Sequence, residues 1–271
     1  MARAYNYDVL HVAPGTTIGD SYTVISHVGT GSVGSIYLAL DEKKSRKVVI
    51  KMPTKRFIQM PILSATGSMY PAANFIRHES QMLLGLRNRH VVEMLDQGIH
   101  NGLPFTILEF IDASSIEAQI ENPMSQFQAI KIISEVLDGL TYLHNQGIIH
   151  RDINPKNLLY HPRSCLKIID FGLAVRETYN HGNLIVRAMG SHRYSAPEQM
   201  QETSTRVDLF AVAATLERMI FGPDLRIGAH IGADKKFPAA FLRLLRQAMS
   251  ETPTDRPASA LEFKTALAPF C

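Results

Sequence analysis

Apolar and polar positions keep one rhythm as far as about residue 110 and another beyond it. Residues 22–51 alternate with the period of strands. Tyr22-Thr23-Val24-Ile25 leads into a glycine-rich turn, Ser35 to Leu40 follows, and Lys47 to Lys51 comes after a polar turn at Asp41 to Arg46. At 74–86 the spacing becomes helical, with Phe75, Ile76, Met82, Leu83 and Leu86 around Glu79 and with Asn74 as the expected N-cap. Two more strands are expected near 91–99 and 104–110. The pattern then turns mainly helical. Phe127, Ile130, Ile133, Val136, Leu137, Leu140 and Leu143 fall on one face of a helix over 125–145, which Gly147 ends. Asp208 to Phe221 predicts a second apolar helix, and 238–249 and 258–268 two more, split by Pro253 to Pro257.

These elements predict an α+β protein. An antiparallel-sheet lobe carrying one helix would occupy about 22–108, a hinge about 109–115, and a mainly α-helical lobe about 116–271, with 1–21 as an N-terminal extension. A ligand is expected in the cleft between such lobes.

Composition narrows the setting. Of 271 residues, 45% are hydrophobic and 20% charged, with a net charge of +3, too small to imply nucleic acid or an anionic membrane as partner. Cys165 and Cys271 are the only cysteines, so no disulfide framework or zinc site is expected and a reducing compartment fits. Met1 to Asp20 lacks the apolar core of a signal peptide. Leu209 to Phe221 is interrupted by Glu217 and Arg218 and is too short to span a bilayer. A cytoplasmic protein without an anchor is the expectation.

The chemistry concentrates in residues 150–172. His150-Arg151-Asp152, then Asn157, then Asp170-Phe171-Gly172 supply one carboxylate for a hydroxyl nucleophile and two oxygen ligands for magnesium on a nucleotide's phosphates. Upstream, Gly29-Thr30-Gly31-Ser32-Val33-Gly34-Ser35-Ile36 sets three glycines between two predicted strands, where backbone N–H groups could close over phosphate oxygens. The same glycines would equally serve an ordinary hairpin. A dinucleotide-binding turn should open a helix, and here a strand follows. Lys51 lies on the next strand, and Glu79 on the predicted helix could pair with it and hold the ammonium on the α- and β-phosphates.

From Tyr22 to Leu267 these residues resemble the eukaryotic-type (Hanks-type) Ser/Thr protein kinase superfamily, in the compact style of bacterial or phage members. The resemblance implies the bilobal protein-kinase fold. It also implies transfer of the γ-phosphoryl of Mg-ATP to Ser/Thr hydroxyls of protein substrates, with autophosphorylation. Asp152 would orient the hydroxyl and accept its proton, while Asn157 and Asp170 would hold magnesium. Ile36, Val49 and Leu159 resemble the apolar walls around adenine, and Leu108 the residue at the back of the pocket. Glu109 and Ile111 would offer backbone groups to the adenine edge and Ser115 a ribose contact. Gly190-Ser191-His192-Arg193-Tyr194-Ser195-Ala196-Pro197-Glu198 resembles the segment that closes the activation loop and serves a protein substrate. Ser191 takes the place of the hydroxyl of Ser/Thr-directed members. Glu198 with Arg256, and Asp208, resemble the supports of the helical lobe and of the catalytic loop. A pseudokinase scaffold and a small-molecule phosphotransferase are the alternatives.

The chain departs from that pattern in places. Asn154 stands where the Ser/Thr branch carries a lysine, and Lys156 appears two residues later. In an extended segment, residues two apart face the same way about 6–7 Å from one another, so Lys156 is expected to substitute for the missing cation. Val49 replaces the usual alanine. The stretch between Lys51 and Glu79 is longer than in most relatives and carries Pro53, Pro61, Gly67 and Pro71, as a loop would. In relatives with an arginine at Arg151, a loop phosphate pairs with it. Thr178, Tyr179, Ser191 and Ser195 are the candidate acceptors here.

Overall fold

The computed structural model describes residues 12–31, 34–53, 62–63, 69–70, 73–177, 193–222 and 236–271. These divide into two compact units. The first lies within Met1–Leu86 and Glu93–Ile111, the second within Arg87–Val92 and the described residues from Asp112 on.

In the first unit, β1 (Thr17–Ile18), β2 (Tyr22–Thr30), β3 (Gly34–Asp41) and β4 (Arg46–Pro53) form an antiparallel run. β5 (Ile62–Leu63) and β6 (Met69–Tyr70) make a separate small hairpin. Among the described residues of this unit one helix, α1 (Ala73–Leu83), precedes β7 (Met94–His100) and β8 (Leu103–Glu109), and the main sheet runs β1-β2-β3-β4-β8-β7. Because strand side chains alternate, each strand feeds two faces. One face buries Ile18, Val24, Tyr37, Ala39, Val48, Ile50, Phe105 and Ile107 in a single apolar cluster. Residues of the other parity pair across strands as Ile36 with Lys51, Val49 with Leu108 and Lys51 with Thr106. Helix α1 packs on β8 and β4, burying Phe75, Ile76, Met82 and Leu83. The Ser80 and Thr106 hydroxyls, 2.6 Å apart, pin it there.

Several sequence expectations shift in detail. Thr17–Ile18, placed in the N-terminal extension, pairs with Tyr22 and Thr23, and Ile18 is fully buried. Asn74 falls inside α1 rather than capping it, and the helix stops at Leu83, two residues before Gly85 takes a left-handed φ of 79°. Part of the expected loop between Lys51 and Glu79 forms the β5–β6 hairpin. The strand expected from residue 91 begins at Met94, and Val91 instead bridges Ile168 in the second unit.

The second unit is mainly helical. After β9 (Ser114–Ser115) and the single turn α2 (Ile116–Gln119) comes α3 (Gln126–Asn145), followed by β10 (Ile148–Ile149), β11 (Leu158–Tyr160), β12 (Lys167–Ile168) and β13 (Val175–Arg176). Helices α4 (Arg206–Phe221), α5 (Ala239–Ala248) and α6 (Ala260–Leu267) complete it. Ser125 caps α3 by accepting from Gln128 N–H. The stripe from Ile130 to Leu143 is buried, but Phe127 is 62% exposed. Phe127 sits about 60° round the helix from Ile130, on the side away from the middle of the stripe. Helix α4 is buried from Val207 to Ile220, as expected of a helix apolar on most sides. No helix among the described residues is long and apolar enough to cross a membrane.

Candidate active site

In the first unit the glycine-rich turn joins β2 to β3, closed by Gly31 N–H donating to Gly34 C=O at 2.8 Å. Ser32 and Val33 lie outside the described residues. The glycines differ in what holds them. A Cβ on Gly34 would meet the Met52 carbonyl oxygen at 2.6 Å, whereas one on Gly29 would meet open space. Gly34 is therefore required by the sheet itself, and Gly29 leaves its surface open to approach.

Lys51 on β4 and Glu79 on α1 form a buried ion pair, Nζ to Oε2 at 2.6 Å, with side chains 8% and 2% exposed. The expected pairing is present. Ile36 and Val49 are half-buried on the Lys51 face, and Leu108 lies opposite Val49 and is buried. Glu109 N–H donates to Glu93 C=O at 3.0 Å, while the Glu109 carboxylate accepts from Glu93 N–H at 2.9 Å. An adenine edge would thus have to meet the Glu109 carbonyl rather than its N–H. Ile111 is half-buried.

In the second unit the loop from His150 to Asn157 organises itself around Asp152. The Asn157 amide donates to Asp152 Oδ2 at 2.7 Å and to its carbonyl at 2.9 Å. The Asn154 amide donates to Asp152 Oδ1 at 3.0 Å and again to its carbonyl. Two neutral amides therefore fix both oxygens of one carboxylate. Asn154 Oδ1 in turn accepts Lys156 N–H at 3.0 Å and caps the 3₁₀ turn Pro155–Asn157. That turn corrects the extended geometry assumed for residues 154–156. Asn154 is buried and Lys156 exposed, because a 3₁₀ turn rotates residues two apart onto different sides.

Antiparallel pairing of β11 with β12 carries Asn157 to Asp170: Leu158 lies opposite Ile168, and Ile169 N–H donates to Asn157 C=O at 2.9 Å. Asp170 takes a left-handed φ of 66°. Its carboxylate accepts from Gly172 N–H at 3.3 Å, and Phe171 behind it is buried against the His150 ring. With its NH₂ group turned to Asp152, Asn157 presents its amide oxygen, and Asp170 adds a carboxylate. Hard oxygen donors of this kind suit magnesium, which keeps waters and phosphate oxygens for the rest of its shell. Leu159, half-buried on β11, pairs with Ser115 on β9. The Ser115 hydroxyl accepts from Ala118 N–H at 3.3 Å as the N-cap of α2, a use the sequence reading did not foresee.

Asp208, fully buried at the start of α4, holds this loop from behind. Its Oδ1 accepts Arg151 N–H at 2.7 Å and its Oδ2 accepts His150 N–H at 2.9 Å. His144, in the last turn of α3, donates from Nε2 to the same Oδ2 at 2.9 Å. Burial alone would raise the Asp208 carboxyl. The His144 hydrogen bond, the charges of His144 and His150 and the Arg151 N–H outweigh it and hold the group below the ordinary carboxylate range. These bonds secure Arg151 at a φ of 65°, a strained value for a side chain of its size. Arg151 Nη2 donates to Gln199 C=O, and the Gln199 amide donates back to Arg151 C=O, each at 2.9 Å. Glu198 and Arg256 form a bidentate pair at 2.6 and 2.9 Å, as expected. His144 and Gln199 were missed by sequence reading. A histidine closing the helix before the His-Arg-Asp triplet was the available signal for the first. Thr178, Tyr179 and Ser191 lie outside the described residues.

Comparison with known proteins agrees with this geometry. Residues 22–263 match the protein kinase domain family. The chain is 26% identical over 273 residues to the probable serine/threonine-protein kinase pknA2 of Bifidobacterium longum, covering 92% of this chain and 35% of that protein. It is 28% identical over 284 residues to the serine/threonine-protein kinase pkn3 of Myxococcus xanthus, covering 93% and 50%. It thus spans half or less of the length of these curated relatives. The crystal structure of the Mycobacterium tuberculosis PknI kinase domain superposes with a TM-score of 0.73 at 20% identity, over 97% of this chain and all of that one. The fold is that of a protein kinase. The chain belongs to the protein kinase domain family.

Proposed function

We propose that this chain transfers the γ-phosphoryl group of ATP to serine and threonine hydroxyls of protein substrates, with magnesium as the divalent ion. The observation that carries the reading is the amide-fixed carboxylate of Asp152, bonded to Asn157, whose carbonyl accepts the N–H of Ile169 next to Asp170. Asp152 orients the acceptor hydroxyl and takes its proton as the hydroxyl oxygen bonds to the γ-phosphorus. The bridge to the β-phosphate breaks and ADP leaves. Asn157 and Asp170 would hold magnesium, which would neutralise phosphate charge when bound. From the first unit, Lys51, kept in place by Glu79, takes the α- and β-phosphates. Gly29, Thr30, Gly31, Ser32, Val33 and Gly34 cover them with backbone N–H groups. Ile36, Val49, Leu108, Glu109, Ile111, Ser115 and Leu159 receive the nucleoside.

Lys156, exposed beside the loop, supplies the cation that Asn154 lacks, by side-chain reach rather than strand geometry. Equal transfer rates for Lys156→Met and wild type at saturating ATP would remove that role. Loop hydroxyls between Gly172 and Ala196 are the proposed autophosphorylation sites. Two cysteines, neither in a disulfide, favour a reducing, cytoplasmic setting. The test is label from ATP on a generic basic protein in the presence of magnesium. Transfer should fall by about 10²–10⁴-fold in Asp152→Asn. ATP binding with no transfer by wild type would instead mean a nucleotide-binding scaffold.

A further inference from the structure

Arg218 on α4 is a buried cation that its neighbours satisfy only in part. It is 9% exposed, and among the described residues its Nε and Nη1 have no hydrogen-bond partner. Its Nη2 lies 3.5 Å from Glu117 Oε1 on α2, longer than the roughly 2.7–2.9 Å of a charge-assisted hydrogen bond. The Glu117 side chain is 35% exposed and has room to turn aside. One turn earlier on the same side of α4, the buried Thr215 hydroxyl also has no partner among the described residues. A guanidinium carries five N–H donors, and burying several of them unfilled is costly. Such a group is completed by an anion.

The surroundings indicate which anion. Tyr194 neighbours the guanidinium. Burial first, and then the Glu117 charge, push its hydroxyl pKa up, while the Arg218 charge and a hydrogen bond between Arg218 and the hydroxyl pull it the other way, leaving Nε and Nη1 still unfilled. Tyr194 belongs to the segment ending in Ala196-Pro197-Glu198 and packs against the apolar cluster that contains Ile149, the residue before His150. The following Gln199 is bonded in both directions to Arg151. The cation therefore adjoins the stretch of chain that serves a protein substrate, through contacts within one unit.

We infer that Arg218 is the centre of an anion subsite that selects protein substrates carrying a carboxylate or phosphate side chain near the acceptor hydroxyl, with Glu117 as an internal stand-in displaced on binding. The inference rests on the kinase reading for its substrate, and on the unfilled guanidinium for its charge preference.

The experiment compares four serine-acceptor peptides that differ only in flanking residues: glutamate, phosphoserine, glutamine or lysine. Wild type should show kcat/KM about tenfold higher for the glutamate or phosphoserine peptide than for the glutamine one, mainly through KM. Arg218→Met should erase the difference. Glu117→Gln, which removes the internal competitor, should widen it, and with wild type it decides the matter if Arg218→Met does not fold. Equal kcat/KM for all four peptides in wild type, or a preference that survives Arg218→Met, overturns the subsite. Fluorescence anisotropy of the same peptides separates the two ideas should no peptide be phosphorylated. Tighter Arg218-dependent binding of the anionic peptides then keeps the subsite while the kinase reading falls, and equal binding removes both.

Discussion

The two units immobilise their charged groups by different means. In the first, the Lys51 ammonium meets the Glu79 carboxylate at 2.6 Å between a strand and a helix, both already fixed by the sheet. In the second, the groups sit on irregular backbone, and a network replaces the rigid element. Asp208 gathers two backbone N–H groups and a histidine, while Asn154 and Asn157 grip Asp152. A side chain on a regular element starts from backbone that is already fixed. A side chain on a loop needs its backbone held as well.

The comparison can be broken most directly at its two buried carboxylates. Glu79→Ala removes the carboxylate 2.6 Å from the buried Lys51 ammonium and should cost about 3–5 kcal/mol in urea unfolding, together with a raised KM for ATP. Asp208→Ala should cost a similar amount but act on kcat, because it releases the backbone behind Asp152. Should Asp208→Ala leave kcat unchanged, the network view fails. Acid titration sharpens the same point. A carboxyl held below its ordinary value of 3.8 contributes stability that is fully present above that value. The contribution is lost as pH falls through the lower folded-state value. Wild type should therefore lose stability on acidification below the ordinary carboxylate range, and Asp208→Asn should lack that part of the pH slope.

A smaller effect separates the two amides. Asn154→Ala removes one hydrogen bond to a charged group, about 1.5–3 kcal/mol, and should lower kcat roughly ten- to a hundredfold with little change in KM for ATP. The smallest belongs to Ser115→Ala. As an N-cap, Ser115 should cost about 0.5–2 kcal/mol of stability, and a rise in KM for ATP would add the ribose contact to that role.

The regular elements were legible because their physics is periodic. Alternation marked β2, β3 and β4, and the stripe from Ile130 to Leu143 marked α3. Where reading erred, a local feature overrode the period. Phe127 shares the helix but not the buried sector. Lys156 lies within a proline turn capped by Asn154, so strand spacing does not apply. Asn74 is typical of a cap yet sits past the start of α1. In the site, residues at set spacings within 150–172 could be picked out as candidates, since the proposed chemistry dictates their types. His144, Gln199 and the Asn154 grip on Asp152 could not, because they depend on which backbone groups the fold leaves to be satisfied. Thr178, Tyr179 and Ser191 lie outside the described residues.

Helix α4 carries Asp208 near its beginning and Arg218 near its end, about 15 Å apart along a rod with 1.5 Å of rise per residue. One end steadies the loop that carries Asp152, the proposed base, and the other carries the cation inferred to recognise residues beside the acceptor. A rod transmits tilt to both ends at once. Variants or bound compounds that rock α4 would therefore change target choice and turnover together, leaving evolution little room to adjust either alone.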